Sequence, residues 1–153
     1  MAEPPSGADP PAKPEGRVLG LDLGDVRIGV AVSDPDRRLA VPVGTVRTGA
    51  PQDLKAIAAL VRDHDISLVV VGHPLSMSGR AGPKARHVEE LVGALRSFLS
   101  VPVVLQDERL STVEAERNLR EAGIRGRDRR RAVDRSAATV ILQAWLDAHK
   151  SAG

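Results

Sequence analysis

The stretch Val18-Leu19-Gly20-Leu21-Asp22-Leu23-Gly24-Asp25, continuing through Val26-Arg27 to Ile28-Gly29-Val30-Ala31-Val32-Ser33, decides the fold. Val18 to Leu23 and Ile28 to Ser33 are short, β-prone apolar runs. Gly24-Asp25 between them is a turn signal, so the pair is expected as a β-hairpin. Within the first run one residue is out of place. Asp22 is a carboxylate in a strand that otherwise reads as core. Such a group is costly to bury unless it is paired or binds a metal. The competing reading is structural, a carboxylate capping the turn near Gly24.

Outward from the hairpin, Leu39 to Val46 is a third extended piece, and Pro42 marks it as an edge strand or a bulge. Pro51 and the periodic residues Leu54, Ile57, Ala58 and Val61 predict a helix. Ser67 to Gly72 contains Leu68-Val69-Val70-Val71, a continuous apolar run as in a strand covered on both faces. A polar loop, His73 to Gly82, follows. Val88, Leu91, Val92, Leu95 and Leu99 predict a second helix. Val101 to Leu105 predicts a further strand, which runs into Asp107-Glu108-Arg109. Ser111-Thr112-Val113-Glu114 is a capping box for a helix ending near Gly123. A last helix is expected from Asp128 to His149. The order predicts an α/β fold: a mixed sheet, antiparallel at first and joined by parallel crossovers later, with helices on both faces.

The chain has 153 residues and no cysteine, so disulfides and thiolate chemistry are excluded. Phe98 and Trp145 are the only aromatic residues, so the core is expected to be aliphatic and binding by base stacking on aromatic platforms is not expected. Residues 1–16 are rich in proline and are expected as a disordered tail, with one domain over 17–150. No stretch has the length of a membrane span, and no signal peptide is visible. A cytoplasmic protein is the expectation. The formal net charge is +2. Arg125, Arg127, Arg129, Arg130, Arg131 and Arg135 nevertheless cluster in one short stretch, which reads either as a solvated basic loop or as a phosphate footprint.

Two more acids draw attention. Glu108 follows Val103-Val104-Leu105 at a strand's carboxyl end, where ligands gather in open α/β sheets. The competing reading is an exposed acid that pairs with Arg109 or sits near the N-terminus of the following helix. Asp134 heads the line Ala138, Ile141 and Trp145 along the last helix, whereas Thr139, Gln143 and Asp147 form a polar stripe. Asp134 is therefore expected on an inward face, or paired with Arg130 or Arg131. Carboxylates are hard ligands suited to Mg²⁺ or Mn²⁺. Two such ions about 3.5–4 Å apart serve phosphoryl transfer without a side-chain base. His64, His73, His87 and His149 lack metal-ligand spacing. His73 alone falls near the expected site, and a plain loop histidine is the simpler reading. No P-loop and no G-x-S-x-G elbow are present.

Leu21-Asp22-Leu23-Gly24 with Arg27-Ile28-Gly29-Val30-Ala31-Val32-Ser33-Asp34 resembles the opening motif of the YqgF/RuvX family. Val71 to Gly79 is similar to that family's glycine–proline loop, and Asp107-Glu108-Arg109-Leu110-Ser111-Thr112 to its acidic motif. Val133-Asp134 with Ala137-Ala138 and Ile141-Leu142 resembles its C-terminal signature. The likeness covers residues 17–149, in order. It implies a ribonuclease H-like fold with a mixed five-stranded sheet. It also implies a metal-dependent nuclease for structured nucleic acid, acting in maturation of the 5′ end of pre-16S rRNA or in resolution of Holliday junctions. By motif position Asp22, Glu108 and Asp134 would be the catalytic, metal-binding acids, with Asp107 a lesser candidate. Arg27, Arg130 and Arg131 would hold phosphates. Val26 stands where many relatives carry lysine, and arginines precede Asp134 where lysine is frequent.

Pre-ribosomal RNA is the favoured substrate and a four-way DNA junction the alternative, with the chain a monomer or weak homodimer. Two other classes compete. A non-catalytic ribosome-assembly factor would need only the basic cluster. An ATP-binding domain would share the Asp-x-Gly turn but requires a second lobe and a second phosphate loop.

Overall fold

The computed structural model describes residues 16–75, 78–108 and 137–149. Five strands form one sheet. β1 (Arg17–Leu23) and β2 (Arg27–Ser33) are the expected hairpin. β3 (Ala40–Arg47) follows, then α1 (Gln52–Asp63), β4 (Ile66–His73), α2 (Pro83–Phe98) and β5 (Val103–Asp107). The last described element is α3 (Ala137–Ala148).

The strand order is β3-β2-β1-β4-β5. β1 is antiparallel to β2, and β2 to β3; β4 and β5 extend the sheet in parallel from β1. β3 is therefore an edge, as Pro42 implied. The β2–β3 register shifts between Val30 and Ala31, next to the pair Ala31–Pro42. A proline has no N–H to offer the ladder, and an irregularity there removes the demand for one.

Side-chain alternation sends each strand's residues to two faces. Leu19, Leu21, Leu23, Ile28, Val30, Val32, Val69, Val71 and Val103 form one buried cluster with Ile57 of α1 and with Val88, Val92 and Leu95 of α2. Val18, Ala31 and Val70 form a second with Ala137, Ala138, Ile141, Leu142 and Leu146 of α3. The predicted helices on both faces are present.

Several boundaries differ from expectation. β5 runs on through Gln106 and Asp107, whose backbones pair with Gly72 and His73 of β4, and it begins at Val103 rather than Val101. In α3 the innermost line is Ala138, Leu142 and Leu146, with Ile141 also buried, while Trp145 is half-buried and stacks on His149 at 4.1 Å. Successive steps of four keep that line on one side of the helix. Gln143, expected in the polar stripe, fastens α3 to the sheet edge. Its Oε1 accepts the Ala40 N–H at 2.9 Å and its Nε2 donates to the Arg38 carbonyl at 2.9 Å.

The tail up to residue 15, the helix predicted from Ser111 and the first part of the predicted last helix lie outside the described residues. Among the described residues no helix is long and apolar enough to cross a membrane.

Candidate active site at the carboxyl ends of the strands

Asp22 shares the α3 face of β1 with Val18 and Gly20, because all three have the same parity along the strand. It stands opposite Gly29 of β2. Glu108 follows β5 directly and is only 5% exposed. Its carboxylate lies over Gly72, the penultimate residue of β4: a Cβ built there would come within 2.7 Å of Glu108 Oε2 and 2.4 Å of Ile141 Cδ1. Gly72 belongs to the same face as Val70. Asp22 and Glu108, 86 positions apart in the sequence, thus sit on one face at the carboxyl ends of β1 and β5, where the topology turns from antiparallel to parallel.

The glycines explain how that face holds both a helix and carboxylates. At Gly20 a Cβ would meet Leu142 Cβ at 2.7 Å, so α3 packs on bare backbone. At Gly24 it would meet the Arg27 carbonyl oxygen at 2.5 Å, the same oxygen that accepts the Gly24 N–H at 3.0 Å. This closes the turn that begins β2. Gly29 is different. A Cβ there finds Ala138 Cβ at 3.5 Å and Asp22 Cβ at 3.7 Å, ordinary contact distances.

Asp22, Asp107 and Glu108 all have interactions within the fold. Asp107 has the parity of Val103 and points to the α2 side, away from Glu108. His73 does likewise, and its Nε2 lies 2.7 Å from Glu89 Oε2 of α2. His73 is therefore not the plain loop histidine expected: it is the last residue of β4 and braces α2 on the far side of the sheet from the acids. A cavity of about 310 Å³ between β3 and α1 is also remote from the acids, with Val30, Val43, Val46, Ala56 and Leu60 in its lining.

Arg27, the first residue of β2, is exposed and stands directly across from Arg47 of β3. Asp134, Arg130 and Arg131 lie outside the described residues. Among the described residues no group of three or more acids or histidines is placed to hold a metal ion. Asp22 and Glu108 supply two hard oxygen donors on one face, and the missing side chain at Gly72 leaves the space that the Glu108 carboxylate occupies. That donor chemistry fits Mg²⁺ or Mn²⁺.

Two residues escape a reading of the sequence. Gly72 ends an apolar run and looks like an ordinary loop signal, although its parity with Val70 was available. Arg47 acquires its meaning only through the β2–β3 register, which no local pattern encodes.

The family model for RuvX, described as Holliday junction resolvase, matches residues 16–148. A protein of Anaeromyxobacter dehalogenans (strain 2CP-C), named "Putative pre-16S rRNA nuclease", is 52% identical over 132 residues, covering 86% of this chain and 96% of that protein. One of the same name from Mycolicibacterium paratuberculosis is 47% identical over 147 residues, 94% of this chain and 88% of that one. Among solved structures, T. thermophilus RuvC in complex with Holliday junction substrate aligns over 90% of this chain and 98% of that chain, with a TM-score of 0.51 and 17% identity. That likeness bears on the fold, which is ribonuclease H-like. Matched by the family model from Gly16 to Ala148, and by near full-length relatives at about half identity, the chain belongs to the RuvX family.

Proposed function

We propose that this protein is a nuclease that hydrolyses phosphodiester bonds in structured RNA and processes the 5′ end of pre-16S rRNA in the cytoplasm. The observation that carries the reading is the convergence of Asp22 and Glu108 on one sheet face, over a glycine that makes room for a carboxylate. The names of the relatives supply the substrate.

In this reading Asp22 and Glu108 are ligands of Mg²⁺ or Mn²⁺, and Asp134, three positions before the first described residue of α3, is the third. The bound cation supplies charge stabilisation at phosphorus and lowers the pKa of the attacking water. Glu108, nearly enclosed, presents its charge where water screens it little. The sheet fixes the spacing of the first two acids, so little reorganisation accompanies the reaction. Arg27, Arg130 and Arg131 hold non-bridging phosphate oxygens and orient the backbone. Water adds to phosphorus and gives up a proton to solvent, the bond to the leaving ribose oxygen breaks, and that oxygen takes a proton from solvent to leave as a hydroxyl.

The test is cleavage of labelled pre-16S 5′-leader RNA in Mg²⁺ or Mn²⁺ by wild type and Asp22→Asn. Metal-dependent cleavage by wild type, lost in a variant that still folds and binds, is expected. Equal behaviour of the two proteins with normal ribosome maturation would favour a non-catalytic assembly factor. The family description favours a second reading, junction resolution. Paired symmetric nicks on a four-way DNA junction, made by a dimer, would select it.

A further inference from the structure

Beside the acids, the sheet carries a feature that the catalytic reading leaves unused. Arg27 and Arg47 are directly opposed Cα partners in the antiparallel β2–β3 pair, so their side chains leave the same face. That is the α3 face, since Arg27 has the parity of Gly29 and Ala31. Opposed residues have Cβ atoms about 4.5–5.5 Å apart, and like charges so placed destabilise a sheet. Both side chains are exposed, and neither is in an ion pair among the described residues. Asp22 lies one step inward, paired with Gly29; diagonal neighbours of this kind are about 7–8 Å apart.

The backbone under the pair is fastened. Thr48 donates its N–H to the Val26 carbonyl at 2.9 Å and its hydroxyl to the Gly24 carbonyl at 2.9 Å. The Gly24 N–H closes onto the Arg27 carbonyl. Two guanidinium groups are thus carried side by side on a stiff hairpin rim beside the acid end of β1. A surface meant only for solvent gains nothing from this repulsion, whereas an anion lying between the two groups turns it into attraction.

We infer that Arg47 joins Arg27 in a two-arginine clamp on the RNA backbone phosphates next to the scissile one. This rests on the nuclease reading for its position, but not for its test. Each guanidinium offers a planar pair of donors to phosphate oxygens. The clamp anchors the strand on the β3 side.

The experiment is fluorescence anisotropy with labelled pre-16S 5′-leader RNA, without divalent metal, across a salt series. It compares wild type, Arg47→Ala, Arg47→Lys and, as a control, Arg62→Ala on α1, whose side chain is 72% exposed. Arg47→Ala is expected to raise Kd about tenfold and flatten the salt dependence by about one phosphate contact. Its Tm should stay level or rise, because a like-charge repulsion is gone. Arg47→Lys should restore most of the salt slope but not the full affinity, and Arg62→Ala should match wild type. If Arg47→Ala binds RNA as Arg62→Ala does, the clamp is overturned. Wild type is also measured on a four-way DNA junction, and binding to the junction alone, or to neither ligand, overturns the clamp as well. Weakened binding by Arg47→Ala with no cleavage by wild type would keep the clamp and reject the nuclease.

Discussion

The two faces of this sheet are made by opposite rules. Toward α1 and α2, large aliphatic side chains fill the space: Leu19, Leu21, Val30, Val69 and Val71 are at most 2% exposed and meet Ile57, Val92 and Leu95. Toward α3, the strands present Gly20, Gly29, Ala31 and Gly72 among a few valines, and the helix comes down onto backbone. The first face is a hydrophobic core in the usual sense, stabilised by the apolar area it removes from water. The second gives up apolar area, and at its carboxyl end the space goes to Asp22 and Glu108. One face therefore carries only the larger aliphatic cluster, whereas the other combines a second, smaller cluster with the candidate site.

If the acids act as proposed, the largest effect of any single change comes from one that barely alters shape. Glu108→Gln is expected to reduce cleavage of pre-16S leader RNA on the order of a hundred- to a thousandfold, as measured by single-turnover rate. Circular dichroism and Tm should stay near wild type. A loss of folding in that variant would make Glu108 a core acid and erase the distinction between the faces.

Leu95→Ala probes the opposite face. It empties a fully buried position against the sheet and should cost about 2–5 kcal/mol in urea unfolding. The surviving folded fraction should cleave at the wild-type rate. A drop in rate per folded molecule would show the two faces to be coupled.

A pair of glycine variants sharpens the comparison within the α3 face. Gly20→Ala and Gly72→Ala both force a Cβ into side chains, at 2.7 Å from Leu142 Cβ in the first and 2.4 Å from Ile141 Cδ1 in the second. Each should lose about 1–3 kcal/mol by chemical denaturation. Only Gly72→Ala also presses on Glu108 Oε2, so it alone should lower the cleavage rate, by up to about a hundredfold.

The smallest effect lies at the other end of the sheet, in the turn after β2. The Leu39 N–H above all, helped by the Arg38 N–H, holds the Asp34 carboxyl below the usual carboxylate range against the opposing effect of desolvation. A depressed folded-state pKa gives stability that is present above the unfolded value and lost as pH falls through the folded one. Asp34→Asn should therefore flatten the dependence of Tm on pH below about pH 4 and leave neutral stability nearly unchanged. The effect is small because the group is well solvated.

Much of this was legible in the sequence, for local reasons. The hairpin was marked by apolar runs around Gly24-Asp25, the edge by Pro42, and Asp22 by a charge placed where cost argues against it. Glu108 could be set near a strand end, because the short apolar run Val101 to Leu105 reads as a strand. What the chain did not reveal depends on register between distant segments: Glu108 over Gly72, and Arg47 across from Arg27. Of the expected inward line of α3, Ala138 and Ile141 are fully buried and Trp145 packs partly buried against the same cluster; steps of four, three and four leave open which of two adjacent rows lies deepest. Packing on Gly20 chose the row of Ala138 and Leu142.

The most direct measurement is a Mn²⁺ titration of the isotope-labelled protein, followed through its backbone amide resonances. Paramagnetic broadening falls off steeply with distance, so it locates the ion without relying on turnover. The account predicts early, saturable broadening at Leu23, Gly29, Gly72 and Glu108, with Lys55 and Arg62 on α1 unaffected and the effect abolished in Asp22→Asn. Broadening spread over exposed carboxylates elsewhere, or unchanged in Asp22→Asn, would contradict a metal site on the α3 face.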